Sequence, residues 1–194
     1  MTKQLIFVGV LCCIVVANGC ADDDNEENST GGDADSDADT DADADADADS
    51  DGQGCEATDI AGLQACIDKE RYIEDLETVA IIRNPGSDGW KVVQELLAAR
   101  LERLGYELEK WDYGSGVNVI GRLPGVTEPD TEVIISAHYD HIPGCPGADD
   151  NASAVSGALE IARVLSGREF NRTLVVAFWD EEELGLIGSR HYVS

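Results

Sequence analysis

Residues 132–137, EVIISA, form a short continuous apolar run that is rich in β-branched side chains. A second run of this kind, TLVVAFW, follows at residues 173–179. Runs without polar alternation are typical of strands that are buried on both faces, as in a parallel sheet. Between them, apolar residues recur at helical spacing from Val155 to Leu165. A strand, a helix and a strand in this order predict a crossover unit within one sheet.

The segments before this unit extend the same architecture. Apolar residues recur at helical spacing in Lys69–Val79 and Trp90–Leu104, and they alternate as in strands at residues 106–111 and 116–123. Helices before and between the strands indicate a sheet that is covered on both faces. The sequence therefore predicts an α/β fold for residues 55–194.

The charge of the chain is strongly acidic and unevenly distributed. The 194 residues include 40 acidic and 13 basic side chains, and fifteen of the acidic ones lie between Asp22 and Asp51. In this region aspartate alternates with alanine, so like charges repel and no apolar surface favours folding. We interpret residues 21–54 as an acidic disordered linker. Clusters of Lys and Arg are missing from the sequence, which argues against a nucleic-acid partner.

The first twenty residues have the layout of an export signal. Lys3 is followed by an apolar stretch from Leu5 to Val16 and then by small residues. The ending ANGC resembles a bacterial lipoprotein box, which implies lipidation of Cys20 and attachment to a membrane. Ordinary secretory cleavage near Gly19 is the alternative. Residues 1–20 thus predict a secreted protein or one of the bacterial cell envelope, anchored to the outer membrane if Cys20 carries lipid.

Chemically reactive side chains follow both buried strands. The first strand ends in AHYDH and the second in WDEEELG, which places His138, Asp140 and a group of glutamates at one edge of the sheet. Ligands gather beyond the carboxyl ends of strands in open α/β sheets. So many carboxylates repel one another unless a cation is present. Imidazole and carboxylate together are a natural ligand set for zinc.

The motifs SAHYDHIP, GADDNAS and AFWDEEELGLIGSRHY resemble those of zinc exopeptidase family M28, which contains bacterial aminopeptidases. The resemblance runs from about Lys69 to Ser194. It implies an α/β/α sandwich with a mixed, largely parallel sheet and two zinc ions. It also implies His138, Asp150 and Glu183 as metal ligands, Asp140 as the partner that orients His138, and Glu182 as the general base.

The same resemblance also distinguishes site residues from their neighbours in the sequence. It implies Asp150 rather than Asp149 as the bridging ligand, and a cis peptide bond between Asp150 and Asn151. Ala154 stands where the family usually has Gly, which affects helix packing and not the metal. His141 and His191 do not match family ligand positions.

The resemblance predicts a metallo-exopeptidase that acts on peptides or proteins. The family supplies a further Asp and a further His downstream of these motifs, so we expect the chain to be the amino-terminal part of a longer enzyme and inactive by itself. Two alternatives are a glutaminyl-cyclase-like acyltransferase with one zinc and a non-catalytic interaction module on the same fold. The segment EELGLIGS favours the peptidase, and the paired Glu182 and Glu183 argue against the module.

Cys55 and Cys66 flank a short segment at the start of the folded part. In an oxidising compartment they can form a disulfide. Two buried free thiols on a short helix are the alternative.

Overall fold

The structure is a computed structural model that describes residues 4–7 and 54–194 of the chain. Its strands are β1 (Gln4–Phe7), β2 (Glu107–Asp112), β3 (Val117–Leu123), β4 (Glu128–His138) and β5 (Arg172–Trp179). Its helices are α1 (Ile60–Ala65), α2 (Lys69–Val79), α3 (Asp88–Arg103), α4 (Ser153–Leu165) and α5 (Ile187–Val193). A π-helical turn, Ala148–Ala152, leads directly into α4.

The predicted export signal and acidic linker fall almost wholly outside the described residues. Only Gln4–Phe7 of the first and Gly54 of the second are described. The backbone of Gln4–Phe7 pairs in parallel with residues 131–134 of β4. Throughout the described part of the chain, no helix is both long and apolar enough to cross a membrane.

The strands form one mixed sheet in the order β1-β4-β5-β3-β2. β4 and β5 are parallel neighbours, and His138 lies opposite Trp179 at their carboxyl ends. β1 is also parallel to β4, whereas β3 is antiparallel to both β5 and β2. The predicted α/β fold with a mixed sheet is confirmed. Among the described strands, parallel and antiparallel pairs are equal in number.

Side chains of β5 alternate between two apolar cores. Val176 and Phe178 pack in the larger core, together with apolar residues of α2, α3 and α4. Val175 and Trp179 pack in the smaller core on the other face, where Tyr192 of α5 lies against them. Because a strand that is buried on both faces has no solvent side, its sequence is a continuous apolar run.

The starts of α1, α2 and α3 follow ordinary capping chemistry, whereas α4 and α5 have no side-chain cap. Ser87 Oγ accepts a hydrogen bond from the backbone N–H of Trp90 at the start of α3, and the Asp68 carboxylate accepts one from Arg71 at the start of α2. Such caps satisfy backbone donors that have no partner within the helix. α4 begins without a side-chain cap and continues the π-helical turn that contains Asp150. The position of Asp150 is therefore tied to that of α4.

Cys55 and Cys66 form the predicted disulfide, with their Cα atoms 5.9 Å apart. The bridge encloses α1 and closes the start of the folded part. Two arginines attach this segment to the end of α4: Arg168 donates to the carbonyls of Cys55 and Ala57, and Arg163 donates to that of Cys66.

Candidate metal centre and active site

Two loops at the carboxyl edge of the sheet carry the predicted site residues. The β4 loop comprises residues 139–152 and ends in the π-helical turn. The β5 loop comprises residues 180–186 and ends where α5 begins. Because β4 and β5 are parallel neighbours, both loops leave the sheet side by side.

His138 is the last residue of β4, and its ring is almost fully buried. Its Nε2 lies 3.0 Å from Asp150 Oδ1 and 4.0 Å from Glu182 Oε2. Its Nδ1 lies 3.2 Å from the carbonyl oxygen of Asp140 and 3.5 Å from that residue's Oδ1. Burial lowers the pKa of His138, but the carboxylates of Asp140, Glu182 and Asp150 outweigh burial and raise it overall. Asp140 thus orients the imidazole of His138 through Nδ1, and Nε2 of the same ring contacts Asp150.

Asp140 connects the two loops. Its side chain is fully buried. Oδ1 accepts a hydrogen bond from the backbone N–H of Glu182 at 3.0 Å, and Oδ2 accepts one from that of Glu183 at 3.2 Å. The same carboxylate therefore lies beside the imidazole of His138 and fixes the backbone of both predicted glutamates.

Glu183 meets a histidine that the sequence analysis set aside. Its Oε1 lies 2.9 Å from Nδ1 of the buried His141. His141, Asp150 and Glu183 each offer one ligand atom, and these atoms all lie within 4.8 Å of one another. Asp150 is thus shared by two groups: it contacts His138, and it also belongs to the cluster with His141 and Glu183. The signal that was available for His141 is its place as the second histidine of HYDH.

Glu182 stands beside this cluster. With His138 it lines a cavity of about 190 Å³ whose apolar wall includes Ala154, Trp179 and Leu186. Burial raises the pKa of Glu182, and the nearby carboxylates raise it further against the opposing effect of His138. A partly buried carboxylate with a raised pKa is a suitable proton acceptor at an apolar cavity.

Two other acidic residues of the motifs lie apart from the cluster. Asp149 is exposed, and its carbonyl accepts a hydrogen bond from Ser153 Oγ. Glu181 is buried with a φ of 53°, and its Oε2 accepts a hydrogen bond from Ser115 Oγ at 2.7 Å. The peptide bond between Asp150 and Asn151 is cis, as the family resemblance implied.

Arg83, which the sequence analysis did not single out, lies beneath the β4 loop and is fully buried. Its Nε donates to the carbonyl of Tyr139 at 2.8 Å, and its Nη2 donates to those of Gly147 at 2.8 Å and Asp150 at 3.4 Å. Its Nη1 donates to the carbonyl of Pro146. Burial lowers the pKa of Arg83 to about 10, although nearby carboxylates of the site oppose the change. At neutral pH the side chain therefore remains a cation.

Gly147 shows how closely this loop is packed. Its φ is 55°, a backbone conformation that favours glycine. A Cβ atom here would lie 2.4 Å from the carbonyl oxygen of Asp150 and 2.5 Å from the ring of His141. The absence of a side chain at this position lets the loop fold against both residues.

Asp180, the first residue of the β5 loop, plays a corresponding part within that loop and is also fully buried. Its Oδ1 accepts hydrogen bonds from Trp90 Nε1 and from the backbone N–H of Glu181, each at 2.9 Å. Its Oδ2 accepts one from the N–H of Val117. Burial raises the pKa of Asp180, and the hydrogen bonds from Val117 and Trp90 oppose the change.

The donors of the cluster suit a zinc ion. Zinc in proteins is bound by imidazole nitrogen and carboxylate oxygen at about 2.0–2.2 Å, most often with four ligands. Two imidazoles and two carboxylates face one another here, with Asp140 oriented toward the far nitrogen of His138. Such partners behind a ligand are usual in zinc sites. The residues present therefore fit zinc.

Histidine and carboxylates at the carboxyl edge of an α/β sheet, with an acidic residue beside them, are an arrangement suited to metal-assisted hydrolysis. The profile of Peptidase family M28 matches residues 118–194 of the chain. This match confirms the resemblance that was inferred from the motifs.

Curated relatives agree with this assignment. Aminopeptidase YwaD of Bacillus subtilis is 44% identical over 78 residues, which are 39% of this chain and 17% of the relative. Leupeptin-inactivating enzyme 1 of Streptomyces exfoliatus is 29% identical over 133 residues, which are 63% of this chain and 30% of the relative. The chain thus spans less than a third of the length of these relatives.

Solved structures share the fold. LapB from Legionella pneumophila matches with a TM-score of 0.58 and 25% identity, over 71% of this chain and 42% of that one. The Legionella pneumophila LapA aminopeptidase matches with a TM-score of 0.57 and 23% identity, over 74% of this chain and 42% of that one. A glutaminyl cyclase from Tannerella forsythia matches with a TM-score of 0.50 and 22% identity, over 59% and 47% of the two chains.

Proposed function

We propose that the protein is a zinc-dependent metallo-exopeptidase that hydrolyses terminal peptide bonds of peptides or proteins. The observation that carries the proposal is the contact between the two loops. Asp150 lies against His138 and also within the cluster of Glu183 and His141, and Glu182 stands beside them. The names of the curated relatives support the same activity.

We assign the metal-ligand roles to His138, Asp150 and Glu183. Zinc held by these residues would supply a Lewis acid for the scissile carbonyl and would lower the pKa of a water molecule to about 7. We favour two ions, because Asp150 is shared by both groups of residues and would serve as a ligand in each. Elemental analysis of the purified protein should then give two zinc ions per chain, and an Asp150→Asn variant should retain at most one.

Glu182 acts as the general base in this proposal. Its carboxylate takes a proton from the attacking water and delivers it to the amine of the leaving group, a role worth roughly 10²–10⁴-fold in rate. Burial favours the protonated form of Glu182 once it has accepted the proton. Asp140 is a positioning residue, because it holds the His138 ring and the backbone of both glutamates in place.

The test is to assay hydrolysis of aminoacyl-anilide substrates by the protein as its organism produces it. A Glu182→Gln variant should lose at least about 10²-fold in kcat while its zinc content is unchanged. Asp149→Asn is the matched control, because Asp149 is an exposed acidic residue outside the cluster, and its rate should equal that of the wild type. Wild-type turnover by Glu182→Gln would refute the assignment of the base.

A peptide that begins with glutamine tests the acyltransferase alternative. Cyclisation of this peptide without hydrolysis of aminoacyl-anilides would favour a glutaminyl-cyclase-like enzyme. The adjacent Glu182 and Glu183, which both face the cluster region, support hydrolysis instead.

We also propose that the protein is exported and anchored to the cell envelope through Cys20. The layout of residues 1–20 supports export. The disulfide between Cys55 and Cys66 agrees with an oxidising compartment. Metabolic labelling with a radioactive fatty acid should mark the wild type and not a Cys20→Ala variant. Release of the unlabelled wild type into the medium would indicate ordinary secretory cleavage.

A further inference from the structure

We propose that His141 is a metal ligand and that it completes, with Asp150 and Glu183, a three-ligand zinc site. The proposal deepens the proposed function, since it rests on the same metal centre. It requires binding of metal and does not require peptidase activity. It also assigns a role to a histidine that the family pattern leaves out.

The distances support a shared ion. The ligand atoms of His141, Asp150 and Glu183 all lie within 4.8 Å of one another, and His141 Nδ1 lies 2.9 Å from Glu183 Oε1. Ligand atoms around one zinc stand about 3–3.5 Å apart, given bond lengths of about 2.0–2.2 Å. The longest separation in the cluster must therefore shorten by no more than about 1–2 Å for the three atoms to bind one ion.

The imidazole of His141 is held in this position by its surroundings. The side chain is 6% exposed, whereas that of Asp150 is 45% exposed. Gly147 packs so closely that a Cβ atom would lie 2.5 Å from the ring of His141. Arg83 in turn fixes the carbonyl of Gly147. A ring that is already placed beside Glu183 loses little freedom when it binds metal, which favours ligation.

The arrangement also places Asp150 near two imidazoles. Nε2 of His138 lies 3.0 Å from Asp150 Oδ1. His141 lies near Asp150 as well, within the cluster that Glu183 completes. Zinc binds imidazole nitrogen and carboxylate oxygen, and catalytic zinc sites hold three protein ligands. The alternative role for His141 is a hydrogen-bond donor that orients Glu183 without touching metal.

The experiment uses the full chain with zinc, and with cadmium as a spectroscopic substitute. Histidine is labelled isotopically, and scalar coupling between the bound cadmium and the ring nitrogens is recorded by NMR. We expect coupling to Nδ1 of His141 as well as to Nε2 of His138. Coupling to His138 with none to His141 would overturn the proposal and leave the orienting role.

Variants provide a second measurement. His141→Ala should lower the zinc affinity of the site that contains Glu183 at least about 100-fold, measured by competition with a chelator. His141→Asp keeps a metal donor at the same position and should recover at least about tenfold of that loss. His191→Ala is the matched control, because His191 lies in α5, is exposed and stacks on Tyr113. An affinity for His141→Ala equal to that of His191→Ala would refute the proposal.

Failure of this inference and failure of the peptidase assignment are distinguishable. Cadmium coupling to His141 in a protein that hydrolyses no peptide would refute only the peptidase. Hydrolysis that depends on Glu182, in a protein without coupling to His141, would refute only the ligand role. Thermal unfolding of each metal-free variant shows whether that variant is folded. If His141→Ala is unfolded, the NMR measurement on the wild type decides whether His141 binds metal.

Discussion

The β4 loop and the β5 loop lie side by side at the same edge of the sheet, but they are held by groups of opposite charge. The β4 loop rests on the guanidinium of Arg83, which donates to backbone carbonyls of Tyr139, Gly147 and Asp150. The β5 loop rests on the carboxylates of Asp140 and Asp180, which accept hydrogen bonds from its backbone N–H groups. Each loop is thus fixed through its backbone.

The difference has an electrostatic consequence. Backbone carbonyls are best satisfied by a cation, and backbone N–H groups by an anion. The anions that hold the β5 loop add negative charge beside Asp150, Glu182 and Glu183. A single buried guanidinium is too little to balance these carboxylates, which raises the cost of the arrangement without a bound cation. The way in which the loops are held therefore favours binding of a metal ion between them.

Arg83→Met should give the largest effect, because it removes the support of the β4 loop. It leaves several buried carbonyls without a donor, and removal of one member of a buried charged group costs about 3–5 kcal/mol. The free energy of unfolding, measured with urea, should fall by this amount. Arg172→Met is the control, since Arg172 pairs with Glu128 at the exposed opposite end of the sheet, and we expect a change of less than about 1 kcal/mol. Equal effects of the two substitutions would contradict the proposed support.

Asp140→Asn should be next in size, because it weakens the link between the loops. An amide keeps one acceptor oxygen and places its NH₂ group against a backbone N–H, which leaves one donor unsatisfied at about 1–3 kcal/mol. Zinc affinity should also fall about 10–100-fold, since His138 loses its charged partner. Asp149→Asn, at an exposed position of the β4 loop, should change neither quantity. Unchanged zinc affinity in Asp140→Asn would show that His138 is oriented by other contacts.

Asp180→Asn tests the support of the β5 loop, because the effect of this substitution on stability should depend on pH. The pKa of Asp180 in the folded protein lies above its ordinary value of 3.8, chiefly because of burial. The folded state therefore binds this proton more tightly than the unfolded state, so the residue contributes more to stability as pH falls through its folded pKa. The gain in stability is complete once the pH has fallen to about the ordinary pKa of 3.8.

The measurement is the free energy of unfolding of the wild type minus that of Asp180→Asn, in the presence of a chelator. We expect this difference to rise as pH is lowered from neutral toward 3.8. Around pH 7 the variant should be less stable by about 1–2 kcal/mol, because one of three buried donors loses its acceptor. A difference that stays constant with pH would contradict the raised pKa.

Ser115→Ala should have the smallest effect. It removes the hydroxyl that donates to Glu181, a buried residue at the start of the β5 loop. The loss of one hydrogen bond to a charged group is worth about 1.5 kcal/mol or less where water can replace the donor. Zinc affinity should not change, because Glu181 is not one of the cluster residues. Loss of zinc from this variant would show that the β5 loop is less rigid than its contacts imply.

The sequence by itself determined the sheet and the place of the chemistry. The apolar runs that became β4 and β5 predicted buried parallel neighbours, since a strand with both faces buried carries no polar alternation. Parallel neighbours end at one edge, so the positions of His138, Asp150 and Glu183 followed from the order of the motifs.

The tertiary structure alone decided how these residues are supported and which others join them. Arg83 is far from the motifs in sequence, and a lone arginine after an apolar segment carries no periodic signal of the backbone that it will contact. The approach of His141 to Glu183 depends on the close packing of the β4 loop around Gly147, which sequence spacing does not reveal. Local sequence patterns report which faces of a strand or helix are buried. Contacts between side chains and distant backbone carbonyls arise only when the chain has folded, because they depend on distances between separate segments.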